Sequence, residues 1–182
     1  MKRSISFIAL LAALFALAAC GKITEKATEK LAEKALESQS KDGSKTSVNL
    51  SEGTAKVTTT DASGKTSTME IGSAQVSESD LGVPFYPGTK PPEGGVSKLT
   101  TPQGTAMTVS LHSSDAADKV TAFYREKLKS QSQDKQFMDM NMGSGQTTLV
   151  LADDKTNDSV QVHVKASGSG SEINIVATRG AR

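Results

Sequence analysis

One segment of the chain carries a broad apolar helix face, and most other patterned segments alternate. The segment "SSDAADKVTAFYREKLKSQ", residues 113 to 131, places Val120, Phe123, Tyr124 and Leu128 along one side at helical spacing. Its charges are ordered to suit the helix dipole. Asp115 and Asp118 stand near its start, Lys127 and Lys129 near its end, and Ser114 or Asp115 supplies the N-cap. A single helix of this kind needs a partner surface to bury its face, and a sheet is one such surface.

The strand signals supply that sheet. "TAMTVSLHSS" alternates Met107, Val109 and Leu111 with polar residues. A strand is expected before it at about 96–100, and four follow the helix near 136–142, 146–152, 159–166 and 172–178. The turns between these four are "GSG", "DDKTND" and "SGSGSE". Further upstream, Val48 and Leu50, then Ala55 and Val57, then Thr66 to Ile71 predict a three-stranded meander over 47–76. This meander is too rich in Thr to stand alone, so it either joins the next sheet or stays partly open. "SESDLGVPFYPGTKPPEGG", residues 77 to 95, has four prolines and yet offers Val83, Phe85 and Tyr86, which predicts a structured crossing. The α+β domain proper is expected over 77–182.

The start of the chain belongs to another regime. Lys2 and Arg3 precede "ISFIALLAALFALAA", and the only cysteine, Cys20, follows directly. Basic n-region, apolar h-region and small residues make a signal peptide over 1–19. Fifteen apolar residues reach roughly 22 Å as a helix, short of the roughly 30 Å hydrocarbon core, which argues against a retained span. One cysteine admits no internal disulfide, and no histidine stands nearby to activate it. The tetrapeptide "LAAC", Leu17 to Cys20, resembles the lipobox of bacterial lipoproteins. The resemblance implies cleavage between Ala19 and Cys20, a diacylglyceryl thioether on the cysteine and usually an acyl chain such as palmitate on the freed amine. Gly21 in place of Asp resembles the pattern of enterobacterial lipoproteins exported to the outer membrane. The expected location is therefore the cell envelope, lipid-anchored and facing the periplasm.

Residues 20–46 then read as the lipidated cysteine, a helical spacer and a linker. "ITEKATEKLAEKALES" is built of good helix formers, with Glu25, Glu29, Glu33 and Glu37 in one i,i+4 row and Lys26, Lys30 and Lys34 in another. Each row repels itself weakly, and Lys-to-Glu pairs at i,i+3 offset this. Ile23, Ala27, Leu31 and Ala35 form an apolar stripe too thin to demand a core. A solvated spacer is expected, with bilayer contact and a short coiled coil as the other readings.

"DLGVPFYPG" at 80–88 and "VTAFYREKL" at 120–128 resemble a group of bacterial lipoproteins without an assigned activity. The likeness covers roughly 48–178 and implies a small α+β domain, one helix on an antiparallel sheet. Its motifs are structural and carry over no catalytic residues.

The sequence carries few signs of chemistry. It lacks G-x-S-x-G, a Walker loop, H-E-x-x-H and a dinucleotide fingerprint, so the expectation is a protein that is not an enzyme and takes no cofactor. Loss of Lys2 and Arg3 with the leader takes the formal charge from +1 to −1. With no Trp, two Tyr and five Phe, nucleic acid is not an expected partner. His112 and His163 read as satisfied sheet histidines in or beside the apolar phase; zinc would require their strands to meet beside a carboxylate. In "FMDMNM" the alternating Met138, Met140 and Met142 share one strand face. That face reads first as core filler under the helix, and second as a soft-metal site for Cu(I) or Ag(I). The composite expectation is a non-enzymatic envelope module, bound to membrane lipid through acylated Cys20 and to an envelope protein partner. The alternative is a soft-metal or small-ligand carrier using the Met138, Met140 and Met142 face.

Overall fold

The computed structural model describes residues 25–39, 43–51 and 54–181. The leader, Cys20 and Gly21 lie outside the described residues. Helix α1 spans Glu25–Gln39, and strands β1 (Lys45–Ser51), β2 (Thr54–Thr60) and β3 (Thr66–Ile71) form the expected meander. A short helix α2 (Glu78–Leu81) opens the crossing, followed by β4 (Val96–Thr101), β5 (Gly104–Ser113), helix α3 (Ala117–Lys129), β6 (Gln136–Gly143), β7 (Gln146–Asp153), β8 (Asp158–Ser167) and β9 (Gly170–Gly180). Among the described residues, no helix is long and apolar enough to cross a membrane.

All nine strands form one antiparallel sheet in the order β1-β2-β3-β4-β5-β9-β8-β7-β6. The meander does not stay open: β3 pairs with β4, Met69 opposite Leu99 and Ile71 opposite Ser97. The sheet therefore dominates the fold, and the helices are additions to it.

The position of α3 follows from the topology. Because β9 inserts beside β5, the chain leaving β5 must travel four strand spacings, about 19 Å, to start β6 at the far edge. Thirteen helical residues span about 20 Å and make that crossing over β9, β8 and β7. Val120, Tyr124 and Leu128 bury their whole side chains against Val109, Ile175, Val162 and Leu149, which pair across four adjacent strands. The far end is tied down by a bidentate pair, Arg125 Nε donating to Asp139 Oδ2 at 2.5 Å and Nη2 to Oδ1 at 3.2 Å.

The crossing at 77–95 completes the second layer, as expected. Leu81, Val83 and Tyr86 are buried, and Tyr86 and Phe123 meet edge to face at 5.2 Å. The α2 turn is held by a capping box, in which Ser77 Oγ accepts from the Asp80 amide and the Asp80 side chain accepts from the Ser77 amide. At the β4–β5 hairpin, Gly104 has φ of +144°, and a Cβ there would sit 2.2 Å from the Arg179 carbonyl oxygen. No other residue type fits without parting β5 from β9.

The start of α3 departs from expectation. Its N-cap is Ala116, with no side-chain bond, and Asp115 is turned elsewhere. Asp115 Oδ2 accepts from Tyr86 Oη at 2.7 Å and pairs with Lys119 Nζ at 3.0 Å, joining the crossing to the helix. The Tyr86 hydroxyl first, and Lys119 second, hold the Asp115 carboxyl below its usual range. A group depressed in the native state stabilises the fold above its unfolded pKa of about 3.9 and loses that contribution as pH falls through the native value. Thermal midpoints measured between about pH 5 and pH 2 are thus expected to fall, and Asp115→Asn to show a smaller fall over the same range.

The largest departure concerns α1, which is not a solvated spacer. It lies along the outer edge of β1, where the carboxylates of its glutamate row accept from alternate strand amides. Leu50 N donates to Glu29 at 2.7 Å, Val48 N to Glu33 at 2.9 Å and Thr46 N to Glu37 at 3.2 Å. Four residues of helix rise about 6.0 Å and two of strand about 6.8 Å, so the two periods stay nearly in step over three contacts. The residue buried against the strand is Ala32, whereas Ala27 and Leu31 of the expected stripe point outward. An i,i+4 glutamate row that is mildly unfavourable in an isolated helix thereby closes an otherwise open sheet edge. Replacing Glu29, Glu33 and Glu37 by Ala is expected to raise hydrogen exchange of the Thr46, Val48 and Leu50 amides about tenfold while amides facing β2 stay protected.

Candidate functional site

Only one face of the β5-β9-β8-β7-β6 half of the sheet is covered by α3. The pairing sets out the residues of the opposite face in three rows. Thr108, Val176, Gln161, Val150 and Met138 form one row; Ser110, Asn174, His163, Thr148 and Met140 form the next. His112, Glu172, Lys165 and Gln146 form the third, which reaches β6 beside Met142, where a bulge shifts the register between Asn141 and Gly143. The first two rows thus end in a methionine at the edge strand, and the third ends at Gly143, next to Met142.

The methionines are not core filler. Met138 is 45% exposed, Met140 40% and Met142 65%. Their strand neighbours Phe137 and Asp139 take the helix side, Phe137 against the core and Asp139 on Arg125, so the methionines take the open side. Exposed apolar side chains in a contiguous strip mark binding surfaces.

Beside this strip lies a groove of about 390 Å³ lined by Ser110, His112, Thr148, His163, Lys165 and Asn174 among others. Thr148 Oγ1 and His163 Nδ1 share a hydrogen bond of 2.9 Å. The expectation put both histidines in or beside the apolar phase; both are exposed, and His112, out of step with Met107, Val109 and Leu111, falls on the open face. The structure brings His112 and His163 to one groove with Glu172, but among the described residues no three His, Cys, Asp or Glu side chains converge on a metal position. Hydroxyl, amide and imidazole groups on a shallow apolar-edged surface suit hydrogen-bonded recognition of an extended polar ligand or chain.

A second depression, of about 490 Å³, lies near Lys98 and Arg179. There the Arg179 guanidinium donates to the Ser159 and Thr178 carbonyls, and Asp80 offsets the positive charge. It offers less free chemistry than the open face. Signals for that face were partly present in the sequence: the methionine alternation was visible, whereas Thr148, Lys165, Glu172 and Asn174 carry no local motif. No family model, curated protein or solved structure matches the chain.

Proposed function

We propose that this chain is a lipid-anchored, non-enzymatic envelope module that engages an envelope component through the open face of its sheet. In this reading Cys20 carries the lipid, the leader over 1–19 is removed, and the module stands on the outer membrane facing the periplasm. The observation that carries the binding surface is the methionine strip at 138, 140 and 142, left exposed beside a polar groove on the face opposite α3. The lipobox resemblance supports the anchor, and the absence of catalytic motifs in the sequence supports a binding role. A photo-crosslinking residue at Thr148, tested in intact cells beside one at Lys127 on the helix side, checks the reading. A discrete adduct from position 148 alone is the expected result, and equal or absent adducts at both positions would contradict it.

A second reading rests on the same exposure. Three thioethers open to solvent on one strand are soft donors for Cu(I) or Ag(I), and residues two apart on a strand stand only about 6.8 Å from each other. Titration with Cu(I) against a competing chelator tests it. A carrier gives an affinity that disappears when Met138, Met140 and Met142 are all changed to Leu; no affinity above the competitor ends this reading.

A further inference from the structure

Seating α1 on β1 leaves one arc of that helix turned away from the sheet. Lys26, Ala27, Lys30, Leu31 and Lys34 stand exposed on this arc, Leu31 at 61%. Glu29, Glu33 and Glu37, which would offset the lysines in a free helix, have their carboxylates turned to strand amides, Glu29 and Glu33 half-buried and Glu37 exposed. Among the described residues, no carboxylate forms an ion pair with Lys26, Lys30 or Lys34. The outward arc is therefore basic, with one large apolar side chain beside its cations.

We infer that this arc of α1 rests on the surface of an anionic phospholipid bilayer. Charge complementarity selects the occupant: a row of lysines with exposed Leu31 matches a layer of phosphate headgroups over hydrocarbon. Reach supports it, in a clause that rests on the proposed lipidation. Glu25 lies five residues beyond Cys20, so an acylated Cys20 keeps the start of the helix within about 18 Å of the surface. The consequence is an orientation. β6 lies eight strand spacings, about 38 Å, across the sheet from β1, so a helix lying on the bilayer sends the methionine edge away from it.

The test uses the full-length product extracted from cells and reconstituted into vesicles, with a bimane fluorophore on Leu31→Cys. In vesicles containing phosphatidylglycerol the emission is expected to shift to shorter wavelength and aqueous quenching to fall. In pure phosphatidylcholine neither change occurs. About 1 M salt, which shrinks the screening length to about 3 Å, reverses the change. So does the triple change Lys26→Gln, Lys30→Gln, Lys34→Gln, since each lysine is worth about fivefold in preference for the anionic surface and three are worth on the order of a hundredfold. A label that stays open to water in anionic vesicles overturns the inference. A shift in neutral vesicles that grows with protein density also overturns it, because the arc then meets a second copy of the chain. The label count reports the lipid separately: one bimane per chain means a blocked Cys20. Two mean that the lipidation proposal has failed, and the arc is then tested on the Cys20→Ser form added to the same vesicles.

Discussion

Changing Cys20 to Ser is expected to convert a chain that only detergent extracts into one that an alkaline carbonate wash releases. The expectation follows from the arithmetic of acyl anchors. One chain gives marginal, reversible membrane binding, and each further chain of about fifteen methylenes adds roughly 12 kcal/mol. In the proposed reading, removing the sulfur removes the attachment point for diacylglycerol and, with it, the cleavage that frees the amine. The variant then keeps residues 1–19, whose apolar run of roughly 22 Å falls short of the roughly 30 Å hydrocarbon core. Intact mass separates the two products, because on the proposed lipidation the parent is expected to lack the leader and carry acyl mass, and the variant to carry the leader and no acyl mass. A variant held through the wash as firmly as the parent would count against the anchor.

The second large effect lies in the core, where two substitutions at Tyr124 are expected to differ sharply, one costly and the other neutral or stabilising. The ring is fully buried beneath Tyr86 and Phe123, with ring centroids 5.1 Å from Phe123 in an edge-to-face contact. Tyr124→Ala leaves a cavity at the junction of α3, the crossing and the sheet, a change that costs about 3–5 kcal/mol. For a domain of marginal stability that is a large share of the whole. Among the described residues the hydroxyl of the same residue is buried with no well-formed hydrogen bond, the Tyr86 backbone being its nearest polar neighbour, and burial raises its pKa far above the ordinary phenol value. Tyr124→Phe removes that unsatisfied group at almost no cost in shape, so stability is expected to stay level or rise by about 1 kcal/mol. Urea unfolding of both variants measures the pair, and equal losses for Ala and Phe would mean that the hydroxyl, not the ring, carries the site.

Elements set by local signals were legible along the chain, and those set by distant pairing were not. The face of α3 was legible because Val120, Tyr124 and Leu128 repeat at the helical period, and the strands from Gly104 onward were legible because their apolar residues alternate. The α2 turn was missed, although Ser77 and Asp80 carry the spacing of a capping box. The open face was only half legible. Alternation places Met138, Met140 and Met142 together, but whether a helix covers them depends on β6 lying at an edge and on the side of the sheet that α3 crosses. Both are set by the insertion of β9 beside β5, a pairing between segments about seventy residues apart. The glutamate row of α1 is the sharpest case. Seen along the chain, its i,i+4 repulsion looked like a small defect of a spacer, and its function appears only once the open amides of β1 lie beside it. Nonlocal pairing thus supplies the physical reason for a pattern that local propensity leaves unexplained.

A binding role for the open face requires that the face be occupied in the cell. Oxidative footprinting of the methionines measures this directly, by comparing sulfoxide formation in intact cells with that in the purified chain. In the purified chain Met138, Met140 and Met142 should oxidise quickly and Met107, 3% exposed, slowly. Protection of the three strip methionines in cells, with Met107 unchanged, is the predicted result. Equal oxidation of Met138, Met140 and Met142 in cells and in isolation would contradict it.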